Sequence, residues 1–229
     1  MTTAIGVMAC APLPGRCKAR LLAAHSPNWV AGLYAAMLRD TLDGLQSVTA
    51  EHYVVFVAPV DDADEETGNA HAFEVLARHV PGPWELLPQE GADRGSRVEH
   101  AFSVMFARSV SYALLAASDA PSVPTEALVA AFSDEATRSE ILVGPSDDGG
   151  YYLIGMPRVE PRLMQDMPWS TPALMETTRI RCRERGLTLR ELPPWYDVDE
   201  PSDVLRLLEE LRKYPERAPR TAQFLVTNA

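Results

Sequence analysis

Residues 141–155 constrain the fold most: an apolar run, ILV, then an acidic glycine loop, GPSDDGG, then a second apolar run, YYLIG. Aliphatic and aromatic residues on both sides predict two buried strands, and Asp147, Asp148, Gly149 and Gly150 between them fit neither. The loop therefore lies at a strand end. Asp-Gly and Gly-Gly are ordinary turn dipeptides, so one reading is a plain hairpin. The other is a ligand loop: adjacent carboxylates repel at neutral pH and call for a cation, and paired glycines let a ligand approach the backbone.

The rest of the chain alternates two periodicities. Apolar runs at residues 4–9, 53–58, 84–87, 111–117 and 187–192 read as strands, and 196–199 as a further short one. Val30, Leu33, Met37, Leu38 and Leu45 recur at helical spacing and mark a core helix over 29–45. Further helices are expected at about 70–79, 98–106, 125–132, 172–185 and 201–211, with Thr125 and Thr171 as caps, Pro172 at a first helical position and Gly186 as a stop. Strands alternating with helices imply an α/β fold with a mostly parallel sheet and helices on both faces. Residues 1–212 read as one domain. Residues 213–229 hold two prolines and little periodicity, which leaves two readings: a loose tail, or one docked on another subunit in a homodimer.

Composition narrows the function. The balance of 21 basic against 32 acidic residues, a net charge of −11, disfavours a nucleic-acid surface, so any phosphate site must be a local basic patch. Cys10, Cys17 and Cys182 have no metal-ligand spacing and are odd in number, as expected of reduced thiols in a cytoplasmic protein. No run reaches the roughly 18 to 20 apolar residues that span a bilayer, so no membrane partner is expected.

The first strand leads into a loop with Pro12, Pro14 and Gly15, followed by Arg16, Lys18 and Arg20. Positive charge there, beside free backbone amides, suits phosphate, although Arg-x-Lys-x-Arg also fits a solvated face. Asp119 ends a central strand, on the edge where open α/β sheets bind ligands; its other reading is a turn cap. Asp197 and Asp199, two apart on an extended segment, point the same way. QEGADRGSR at 89–97 can act as a second lining loop. The acidic run at 61–66 is expected to open a helix or stay solvated without metal, and His71 and His79 lack partners at ligand spacing. With Asp119, Asp147, Asp148 and Asp199 at separate strand ends near the basic loop, carboxylates for a divalent cation would face cations for phosphate.

MACAPLPGRCKARL, SDAP, GPSDDGGYYLIG, PWSTP and YDVDEPSDV, in this order and spacing over roughly residues 4–211, resemble the bacterial DUF2064 family of the glycosyltransferase A, or nucleotide-diphospho-sugar transferase, superfamily. The resemblance implies a Rossmann-like three-layer αβα sandwich. It implies nucleotide held by Pro14, Gly15, Arg16 and Lys18, with Arg20, Gly149 and Gly150 beside them, and Mg²⁺ or Mn²⁺ held at Asp119. The chain is also similar to guanylyl- and cytidylyltransferases of that superfamily, whose Asp-Val-Asp-x-Pro block adds a metal ligand, here Asp199; Asp148 joins them from the glycine loop. It departs from the family twice: Cys10 stands where a lysine is usual and Ser122 where a second acid is.

The expected function is a metal-dependent transferase with Lys18, Asp119 and Asp148 as catalytic residues. Its substrates would be a nucleoside triphosphate or nucleotide sugar and a small-molecule acceptor that the sequence does not identify. Nucleotidyl transfer with pyrophosphate release comes first. Glycosyl transfer, with Asp147 or Asp197 as the base, is the alternative, and a non-catalytic nucleotide-binding module is the second.

Overall fold

The computed structural model describes residues 2–60, 65–133 and 140–228. Its strands are β1 (Thr3–Ala9), β2 (His52–Val57), β3 (Glu85–Pro88), β4 (Tyr112–Ala117), β5 (Ile141–Pro145), β6 (Tyr151–Met156) and β7 (Leu189–Glu191). They form a seven-stranded sheet in the order β3-β2-β1-β4-β6-β5-β7. Strand β6 runs antiparallel to β4 and β5, and the remaining pairs are parallel, which is the mostly parallel sheet expected.

The helices are α1 (Pro27–Leu45), α2 (Glu65–Ala77), α3 (Arg94–Phe106), α4 (Thr125–Ser133), α5 (Leu174–Glu184), α6 (Pro201–Lys213) and α7 (Pro219–Thr227). Strand residues alternate between two apolar clusters: Ile5, Val7, Val55 and Leu114 pack with Leu38, Leu42 and Leu76 of α1 and α2. Ala4, Val54, Phe56 and Leu115 pack with Phe102, Met105 and Met175 of α3 and α5. Cover on both faces explains why these strands read as unbroken apolar runs. A third cluster joins α1 to α6 and α7 through Leu33, Met37, Leu207 and Leu225.

Four local expectations change. The segment after residue 213 is ordered on its own chain: a 3-10 turn at Pro215–Arg217 leads into α7, which lies on α1. Prolines at 215 and 219 start these turns; they do not loosen the tail. Helix α5 begins at Leu174, because residues 171–173 form a turn in which the Thr171 hydroxyl accepts the Ala173 N–H at 3.3 Å. Residues 196–199 run extended beyond a single bridge between Ser146 and Trp195 and are no strand. Helix α3 opens earlier than expected, at Arg94, under a capping box of Asp93 and Ser96. Of the acidic run at 61–66, residues 61–64 lie outside the described residues.

Candidate active site

The carboxyl ends of the parallel strands open into a cavity of about 570 Å³. Cys10 comes from the end of β1, Ser118 and Asp119 from β4, Ser146 from β5. Because β6 is reversed, its first residue, Tyr151, lies at the same edge. Tyr34 of α1 ties two of these ends together, its hydroxyl accepting the Cys10 N–H at 3.1 Å and pairing with the Ser118 hydroxyl at 2.8 Å.

Lys18 is the centre of the charge arrangement. It has left-handed backbone geometry, with φ 48° and ψ 53°, and its side chain is only 8% exposed. The ammonium donates to Asp119 Oδ2 at 2.5 Å and to Asp199 Oδ1. Burial opposes its charge, but Asp119 and then Asp199 outweigh burial and hold its pKa above the ordinary lysine value.

Residues 195–199 cross the strand ends and bring two of the acids in. The Asp147 N–H donates to the Trp195 carbonyl at 2.9 Å, and the Val198 N–H to the Asp119 carbonyl at 2.9 Å. Pro201 opens α6, and Asp203 accepts the N–H groups of Glu200 and Asp199, fixing Asp199 at the helix entry. Asp197 accepts a hydrogen bond from the Ser146 hydroxyl at 2.7 Å. Burial first, then the charge of Asp119, push its carboxyl up to about 6; Ser146 works against the rise, and Asp148 and Asp199 add to it.

Among the described residues, Asp119, Asp197 and Asp199 form the group of acids able to share a cation, their ligand atoms within 4.8 Å of one another. Asp119 Oδ1 is buried with no hydrogen-bond partner. An unpartnered carboxylate oxygen beside two further carboxylates suits a hard divalent ion, so the donor set fits Mg²⁺ or Mn²⁺.

The predicted residues separate into groups. Lys18, Arg20, Asp119, Asp148, Gly150 and Asp199 line one cavity. Arg20 stands at the rim, 68% exposed, 3.8 Å from Asp199 and 3.9 Å from Glu200. Pro14, Gly15 and Arg16 form an exposed turn beyond the lining. Gly149 backs onto Pro172 at φ 87°, where an added Cβ would meet the Pro172 carbonyl oxygen at 2.3 Å. Asp148 faces the cavity but stands outside the triad, accepting the Gly150 N–H at 2.8 Å. Asp147 turns away to Arg206 at 2.7 Å, so of the two carboxylates expected as a base Asp197 is the one that lines the cavity. Ser122 is buried beneath the edge, donating to Glu210 at 3.0 Å and accepting the Trp195 indole N–H at 3.2 Å. An acid there would meet the Glu210 carboxylate at hydrogen-bond distance, which the serine hydroxyl instead bonds.

The far wall carries residues not singled out in sequence. Arg94 and Arg97, from the first turns of α3, line the cavity with Gln89, Tyr151 and Trp169. The loop at 89–97 was expected to line a site, but nothing in its spacing separates these two arginines from solvated ones. Arg181 of α5 clamps the 162–166 segment through the carbonyls of Arg162, Gln165 and Asp166.

No curated protein matches the chain. Among solved structures, a protein of Desulfovibrio desulfuricans G20, provisionally named a nucleotide-diphospho-sugar transferase, superposes with a TM-score of 0.86 at 28% identity, over 100% of this chain and 96% of that one. Rv0371c of Mycobacterium tuberculosis H37Rv, in complex with manganese, gives a TM-score of 0.55 at 19% identity over 91% of this chain and 98% of its own. The 4-diphosphocytidyl-2C-methyl-D-erythritol synthase of Anaerococcus prevotii gives 0.57 at 11% identity, over 92% of this chain and 96% of that one. The last two share the fold. The family described as "Uncharacterized protein conserved in bacteria (DUF2064)" matches residues 41–171, more than half of the sequence, and the chain belongs to it.

Proposed function

We propose that this protein is a metal-dependent transferase acting on a nucleotide, and that it transfers a nucleotidyl group from a nucleoside triphosphate with release of pyrophosphate. The observation that carries the reading is the meeting of Lys18 with Asp119, Asp197 and Asp199 in one cavity at the carboxyl edge of the sheet. Asp119, Asp197 and Asp199 would hold Mg²⁺ or Mn²⁺, with Asp148 on the adjoining wall. Such a cation, when bound, neutralises phosphate charge and stabilises a leaving group. Lys18 supplies the buried positive charge and Arg20 a second one at the rim, and both suit a phosphate chain. Arg94 and Arg97 make the opposite wall basic as well. The lining sets four cations, Lys18, Arg20, Arg94 and Arg97, against four carboxylates, Asp119, Asp148, Asp197 and Asp199, so a divalent cation held by the acids would leave it net positive and suited to an anionic substrate. The manganese complex of the mycobacterial fold relative supports the metal, and the name of the 28%-identical protein supports nucleotide chemistry.

Glycosyl transfer from a nucleotide sugar is the second reading, and Asp197 favours it. In that reading Asp119 and Asp199 hold the cation without Asp197, which the Ser146 hydroxyl positions to take a proton from an acceptor hydroxyl. Competition binding of nucleoside triphosphates against matched nucleotide sugars with Mg²⁺, followed by product analysis with candidate acceptors, separates the two. Nucleotidyl transfer requires preference for the triphosphate and pyrophosphate release only with divalent cation. Preference for a nucleotide sugar, with nucleoside diphosphate as product, establishes glycosyl transfer. Binding of neither overturns both.

A further inference from the structure

The first loop holds a pair of thiols that the transfer chemistry does not use. Cys10 directly follows β1 and lines the cavity half-buried, whereas Cys17 is 3% exposed and packs among the residues that join α1 to α6 and α7. Between them the chain folds back: the Leu13 N–H bonds to the Ala11 carbonyl at 2.7 Å and the Arg16 N–H to the Leu13 carbonyl at 3.0 Å. The reversal packs Cys10 against the apolar cluster that holds Cys17, close enough that each thiol is the main influence on the other's titration; Cys17 Sγ lies 3.6 Å from the Leu13 carbonyl oxygen. Cys182, by contrast, is 1% exposed in the α5 layer on the other face of the sheet.

We infer that Cys10 and Cys17 are a redox-active dithiol, a site of reversible oxidation by small-molecule disulfides that closes to an intramolecular disulfide across the first loop. The roles follow from position. Cys10 opens on the cavity and is the attacking sulfur; Cys17, buried behind it, resolves. Cys10 as thiolate attacks one sulfur of the incoming disulfide, whose S–S bond breaks and whose other half leaves as a thiol after taking a proton from solvent. Cys17 then gives up its proton, attacks Cys10 Sγ and expels the second half. The protein loses two protons and two electrons, and the small disulfide gains them as two thiols.

The hydrogen bond from Cys17 is the main influence lowering the Cys10 pKa, to about 7, against burial; Tyr34 and the charge of Lys18 act in the same direction. Cys17 is raised by the same hydrogen bond and by burial, as befits a thiol that reacts second. Lys18 follows Cys17 directly, so the new bond forms one residue from the cavity's buried cation.

The test treats reduced full-length protein with excess glutathione disulfide, quenches with an alkylating agent and maps tryptic peptides. Trypsin cuts after Arg16, so a bond between Cys10 and Cys17 links two fragments that otherwise separate. The expected result is that linked pair, with Cys182 alkylated. Cys17→Ser should trap a glutathione adduct on Cys10, and Cys10→Ser should leave Cys17 unreacted at the same time point. Wild-type protein with all three thiols alkylated, or with a lasting adduct on Cys10 and no linked pair, overturns the inference. The wild-type map decides even where a variant fails to fold.

Discussion

Lys18, buried between Asp119 and Asp199, is the cation that the proposed transfer sets against the phosphates. Each charge-assisted contact to phosphate is worth on the order of 1.5–3 kcal/mol, so Lys18→Ala should weaken nucleotide binding about tenfold or more in calorimetry. Arg20→Ala should cost no more than about threefold, since its ion pairs are long and solvated. Asp119→Asn and Asp199→Asn should each abolish the gain in nucleotide affinity that Mg²⁺ or Mn²⁺ brings; a gain equal to wild type would remove them from the metal site. Cys10 gives a pH prediction with a definite sign. Its pKa is lowered from 9.0 to about 7, so thiolate is present above the lower value, and alkylation should reach half its maximal rate near pH 7. Half-maximal labelling near pH 9 would show an ordinary thiol. That Lys18, Asp119 and Asp199 meet in one cavity was legible because charged residues at strand ends have few other uses. The adjacent pair Asp147 and Asp148 misled in part: a turn sends neighbouring side chains apart, one to Arg206 and one to the Gly150 amide, while Asp197 enters from a segment almost fifty residues later.

The hairpin of β5 and β6 satisfies both readings of its loop at once. It is a turn by geometry, and it is also a wall of the cavity through Asp148, Gly150 and Tyr151. Its fit depends on Gly149, where φ 87° and the Pro172 carbonyl together exclude a side chain. Gly149→Ala should lower stability by about 1–3 kcal/mol from backbone strain alone, with more from the clash, read as a fall in the urea midpoint. An unchanged midpoint would mean that residues 168–172 yield easily. Helix and strand types were legible from apolar period, because buried parallel strands and amphipathic helices leave different spacings. The entry to α5 was not, since Thr171-Pro172 is equally good chemistry for a cap and for the turn before one.

At the scale of the whole molecule, the segment that sequence left as a loose or docking tail closes the fold. Helix α7 lies on α1, where Asp40, buried to 4% exposure, accepts the Thr221 N–H and hydroxyl at 2.8 Å each and the Arg220 N–H at 3.2 Å. Nothing local marks this contact, because a cap supplied by a residue 181 positions away leaves no periodicity at either end. Asp40→Ala leaves those donors without their acceptor and should cost about 2–3 kcal/mol, with a smaller loss for Thr221→Val; equal urea midpoints for wild type and Asp40→Ala would reduce the contact to a solvated one. The pairing of the first helix with the last also sets an order in time. During synthesis α1 emerges early, yet its outer apolar face and Asp40 wait for α7, and Lys18 waits for Asp199. A ribosome-bound chain can therefore form the β1, β2 and β4 sheet well before Lys18 meets Asp199. Nascent protein should stay open to chaperones until α7 has cleared the exit tunnel and covered α1.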